Sequence, residues 1–203
     1  MEERFAKLLT IIFHPLFIPF YMLMILLNVN VLFAILMPVK AKLILSGLVF
    51  LTTIFLPLLI VFLLYRLKLI KSFYLESREE RIYPLLTLAI FYYLTYYILK
   101  SFPISFIFSY YMLGSTFLTI LALIISFYRK ISLHMIGIGG MLGLLLGLSI
   151  DLGLDMTWFI VAAIILGGFL GFARIQSNSH KPSDIYSGFL VGAGVMFLLF
   201  IFL

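Results

Sequence analysis

An all-α, polytopic membrane bundle of six to seven transmembrane helices is the fold this sequence predicts, and three observations predict it. The 203-residue chain is 65% hydrophobic and 11% charged, with a mean hydropathy of +1.25, far from the balance of a water-soluble domain. Its apolar runs match the roughly 20 residues a helix needs to cross a bilayer. Its polar residues gather in short islands between those runs.

Taken in order, the predicted helices cover residues 8–30, 43–65, 84–101, 104–127, 135–150, 157–172 and 184–203. No stretch is long and polar enough for a soluble domain, so residues 1–203 read as a single transmembrane domain. The first segment carries "FHPLFIPF", in which Pro15 and Pro19 are expected to kink the helix. Its length and the lack of a small-residue cleavage site mark it as a retained helix rather than a signal peptide. His14 beside Pro15 fits a structural role, because polar groups can serve the backbone carbonyls that a proline frees. The absence of cysteine excludes disulfides, thiolate catalysis and Cys-based metal sites. The net charge of +6 is accounted for by basic residues flanking membrane helices, and no nucleic-acid partner is implied.

The polar islands are "RLKLIKSFYLESREERIYP" at 66–84, "YRKISLH" at 128–134 and "ARIQSNSHKPSDIYSG" at 173–188. Two predicted crossings separate each from the next, so all three emerge on one membrane face. All but Lys40, Lys42 and Lys100 of the 14 Lys and Arg residues fall on that face. Either cytoplasmic orientation or an anion site explains such a bias. All but Gly47 and Gly114 of the 14 glycines lie between residues 137 and 194. Gly139, Gly143 and Gly147 repeat every four residues, as do Gly188 and Gly192, a spacing that lets membrane helices approach closely. That packing is expected to draw His134 toward His180 and Asp184.

Pro182 suits the first turn of a helix, which places His180 just before that helix and Asp184 inside its first turn. A carboxylate beside an imidazole fixes its tautomer and stabilises its protonated form, leaving the other ring nitrogen to act as nucleophile or base. The helix N-terminus offers N–H groups to an anion, and Arg174 adds a planar fork for phosphate oxygens. His134 is placed to protonate a leaving oxygen while Ser132 donates a hydrogen bond. Lys71, Arg78 and Arg81 are candidates for further positive charge. This set answers the needs of phosphoryl transfer, in which charge on the equatorial oxygens must be neutralised.

These residues resemble the signatures of the type-2 phosphatidic acid phosphatase family, whose superfamily includes the vanadium haloperoxidases. Arg174, His180 and Asp184, separated by five and three residues, are similar to its third signature, with Ala173 where serine is usual. Ser132 and His134 have the Ser-x-His spacing of the second, with Ile131 and Leu133 replacing proline and glycine. Lys71 and Arg78 have the spacing of the first, but Glu79 follows where proline is expected. In an alternative register Arg81 takes the arginine's place, with Tyr74 for the lysine and Pro84 displaced. The resemblance covers residues 66–203 and implies a membrane phosphatase acting on a lipid phosphate or isoprenoid diphosphate, such as phosphatidate or undecaprenyl diphosphate, through a phosphohistidine. By it, His180 is the nucleophile, Asp184 its partner, His134 the acid and Arg174 a phosphate ligand, with no cofactor. It also implies a bacterial plasma membrane with the site on the outer side, whereas the charge bias places the same face in the cytoplasm.

A non-catalytic relative that binds, flips or transports an anionic lipid would use the same pocket. The His180–Asp184 pair favours the enzyme, and the altered first signature favours the binder. "DLGLD", with Asp151 and Asp155, resembles half of an aspartate pattern for magnesium diphosphate, but it lies on the face opposite the cations and reads as a loop. A metal held by His134, His180 and Asp184 is disfavoured because the nearby arginines repel a cation.

Overall fold

In the computed structural model, which describes residues 2–29, 32–70, 78–101 and 106–202, helix accounts for 84% of the described residues and no strand forms among them. Inside a bilayer every backbone N–H and C=O must be satisfied within the segment, and uninterrupted apolar sequence meets that demand as helix. The helices are α1 (Glu2–Ile12), α2 (Ile18–Asn28), α3 (Leu32–Leu36), α4 (Val39–Phe50), a π-helical turn (Leu51–Phe55), α5 (Leu56–Arg66), α6 (Arg78–Leu99), α7 (Phe106–Tyr128), α8 (Leu133–Asp151), α9 (Thr157–Gln176) and α10 (Pro182–Ile201). Among the described residues, six runs are long and apolar enough to cross a membrane: Val39–Arg66, Arg81–Leu99 and the whole of α7, α8, α9 and α10. The chain is an integral membrane protein of the all-α class.

The predicted first crossing is broken rather than kinked. Pro15 cannot continue the helical bonding, and residues 13–17 form turns, with Phe17 N–H donating to the His14 carbonyl at 2.8 Å. Each of α1 and α2 is 11 residues long. At about 1.5 Å per residue each reaches about 16 Å, half of the roughly 30 Å hydrocarbon core.

The chain divides into two compact units, Pro19–Tyr128 and the combination of Met1–Ile18 with Arg129–Leu203. In the first, Thr52 at the π turn donates its hydroxyl to the Leu48 carbonyl at 2.9 Å, and Thr95 of α6 donates to the Thr52 hydroxyl at 2.8 Å. Side-chain hydroxyls thus serve the backbone where regular helical bonding is locally widened. Helix α6 runs through Pro84, and Tyr93 and Tyr97 face outward. The Lys100 ammonium lies 4.6 Å from the Tyr97 ring centroid.

The second unit holds α1, α8, α9 and α10, with α8 and α10 the most closely packed pair. The glycine repeats explain why. A Cβ on Gly139 would meet the Phe189 carbonyl, one on Gly143 the Ala193 carbonyl, and one on Gly192 the Ile136 carbonyl, all backbone atoms. The two backbones touch where other residues would hold them apart. Gly143→Ala is therefore expected to lower stability by about 1–3 kcal/mol, the typical overpacking penalty, despite alanine's better helix propensity. Gly168→Ala is the control, since a Cβ there meets nothing within 4 Å. Thermal unfolding in detergent micelles distinguishes the two, and equal midpoints would contradict the close-packing account. Helix α1 lies along α9, with the Phe5 and Phe169 rings edge to face at 6.4 Å.

Candidate functional site

The second and third polar islands meet in this unit. Lys181 is the N-cap of α10, and Pro182 opens its first turn, as its missing N–H favours. Asp184 stands at the third helical position, where Oδ2 accepts the Lys181 backbone N–H at 3.2 Å. The same oxygen lies 3.6 Å from His180 Nδ1, the two side chains being 5% and 16% exposed. The sequence places this carboxylate beside the imidazole, one turn away. At 3.6 Å the contact is longer than a hydrogen bond, because Oδ2 also turns back to cap its own helix. The turn before it contains Asn178 at φ +50°, a left-handed position that asparagine tolerates better than most residues.

Ser132, the N-cap of α8, ties this island to the second. Its backbone N–H donates to the Asp184 carbonyl at 3.2 Å, so the N-termini of α8 and α10 come together, two helix ends that favour negative charge. The Ser132 hydroxyl is buried and has no hydrogen-bond partner among the described residues.

His134, in the first turn of α8, is 8% exposed. Its Nε2 lies 3.2 Å from the Thr10 carbonyl of α1, and Arg174 and His180 are within its electrostatic reach. Arg174 occupies the last turn of α9, a helix C-terminus that favours a cation, and it is half-buried. Residues Ser132, His134, Arg174, His180 and Asp184, chosen from sequence, therefore all belong to one unit.

His14 joins them, which the sequence reading did not foresee. Its ring stands edge to face on His134, centroids 5.3 Å apart at 85°. Burial, and then the Arg174 guanidinium, push its pKa from 6.5 down to about 4, so it is neutral at physiological pH. The signal that pointed to it is scarcity. The chain has three histidines, and ionisable groups in a membrane protein are costly enough to be retained for a purpose.

The described residues of the first island, 66–70 and 78–84, belong to the other unit. Arg78 opens α6, and Arg81 is buried one turn later at 8% exposure. Lys71 lies outside the described residues. Asp151 ends α8, and Asp155 accepts the Thr157 N–H at 3.1 Å at the start of α9, a loop role that agrees with the sequence reading. Two hydrogen bonds from Thr157 hold the Asp155 carboxyl below the usual carboxylate range.

No family model matches the chain, and neither a curated protein nor a solved structure matches it.

Proposed function

We propose that this membrane protein is a phosphatase that releases phosphate from a lipid phosphate or isoprenoid diphosphate through a phosphohistidine on His180. The observation that carries the reading is the junction of the α8 and α10 N-termini. It supports a site that combines the His180–Asp184 pair with the buried Ser132 hydroxyl, His134 two residues beyond Ser132, and Arg174 within electrostatic reach of His134. Asp184 faces Nδ1 of His180 and favours the proton there, so Nε2 keeps the lone pair and is the attacking nitrogen. As the nitrogen–phosphorus bond forms, the bond from phosphorus to the leaving oxygen breaks, and His134, entering this step as the imidazolium, gives that oxygen the proton on its Nδ1 and becomes neutral. Water then cleaves the phosphohistidine, giving its proton to His134 and returning His180 to its starting state. Arg174, Ser132 and the helix N–H groups offset the charge on the phosphoryl oxygens.

An all-apolar groove lined by Phe5, Ile165, Gly168, Phe169 and Phe172 supports a substrate with a hydrocarbon chain. The departure from the first signature at Glu79 favours a second reading, a non-catalytic binder or carrier of the same lipids. A phosphate-release screen of purified protein across lipid phosphates and diphosphates separates the two. Release supports the enzyme, and binding of these lipids with hydrolysis of none defeats it.

A further inference from the structure

Of the three histidines, the chemistry above uses two. A carbonyl oxygen can only accept, so the Thr10 carbonyl at 3.2 Å requires the His134 proton to sit on Nε2. A backbone N–H can only donate, so Leu16 N–H at 3.4 Å makes Nδ1 of His14 its lone-pair nitrogen. Among the described residues, the His134 side chain makes no hydrogen bond besides that to Thr10. Turning its ring over would put a carbon against the Thr10 carbonyl. It would also have to move past the His14 ring, packed on it at 5.3 Å. Thr10 and His14 come from the end of α1 and the turn that Pro15 imposes, so one broken helix supplies both restraints.

We propose that His14 is a positioning residue whose ring, packed edge to face on His134, holds His134 as the Nε2–H tautomer and leaves Nδ1 to exchange the proton with the leaving oxygen. The catalytic half of this statement rests on the phosphatase reading, and the tautomer half does not. His14 is suited to the place because it is neutral. A charged ring there would oppose protonation of His134, whereas a neutral one confines it without that penalty.

The test uses the full chain in lipid nanodiscs with ¹⁵N-labelled histidine, the His134 signals being assigned by their loss in His134→Gln. In the wild type His134 is expected to be the Nε2–H tautomer at neutral pH. His14→Ala, or His14→Leu if the smaller side chain unfolds the protein, is expected to give mixed tautomers. His14→Phe, which restores a ring, is expected to give back the single one. In turnover, the ring-deleted variant should hydrolyse an alkyl lipid phosphate about 10- to 100-fold more slowly. An activated aryl phosphate, which needs no acid, should change by about twofold or less. Unchanged His134 nitrogen shifts on ring deletion, or a phenylalanine variant that behaves like the alanine one, overturns the proposal. A wild type that hydrolyses neither substrate would end the phosphatase reading, while the tautomer measurement still decides the role of His14.

Discussion

His180→Ala is expected to reduce phosphate release by about 10⁴-fold or more, the scale of loss when a covalent nucleophile is removed. Binding of inorganic phosphate is expected to survive, because the Arg174 fork and the helix N-termini remain. Asp184→Asn is the milder companion. Asparagine still accepts the Lys181 N–H that Asp184 accepts at 3.2 Å, so the cap of α10 is kept. What it loses is the charge opposite Nδ1, 3.6 Å away, so a fall in turnover without loss of folding reports stabilisation of the imidazolium. A carrier of anionic lipids gives a different pattern, with no release in the wild type and lipid movement that tolerates His180→Ala. Phosphate release that persists undiminished in His180→Ala would remove His180 as nucleophile.

Those parts of the molecule governed by local chemistry were legible in the sequence. The long apolar runs specify helices because a bilayer leaves the backbone no alternative. The relation of His180 to Asp184 follows from Pro182, which fixes where α10 begins and puts the two residues one turn apart. Glycine spacing disclosed the α8–α10 pairing because only a residue without Cβ allows one backbone to touch another, as Gly143 does at Ala193. From that pairing the meeting of His134 with the third island could be argued before any coordinates.

What depends on distant or competing contacts was not legible. Pro15 announced a disturbance, but proline alone does not distinguish a kinked helix from a broken one. The outcome rests on where α1 finds a surface, and that surface is α9, some 160 residues onward, reached through Phe5 and Phe169. No local pattern encodes that contact, so the approach of His14 to His134 was hidden. The separation of His180 from Asp184 is likewise not encoded locally, because two partners share one carboxylate oxygen. A residue pattern names candidate partners and says nothing of how they divide.

Arg174→Ala is expected to weaken inorganic phosphate binding by about 10- to 100-fold, since a hydrogen bond to a charged group contributes about 1.5–3 kcal/mol. Arg174→Lys should recover part of the loss, because it restores the charge but not the two-pronged geometry. A second readout locates the side chain without reference to any substrate. Burial is the larger reason that His14 titrates near 4, and the Arg174 guanidinium is the lesser one. A neighbouring positive charge penalises protonated imidazole, so removing it should move the His14 midpoint upward while leaving it below 6.5. Arg174→Lys should hold the midpoint near its wild-type position. Both midpoints can be followed through the histidine nitrogen shifts as pH is lowered. If the His14 midpoint moves and phosphate binding does not, Arg174 sits beside the histidines without serving the anion, and the phosphoryl-transfer reading loses its cation. If neither responds, the guanidinium does not share the site with His14 and His134.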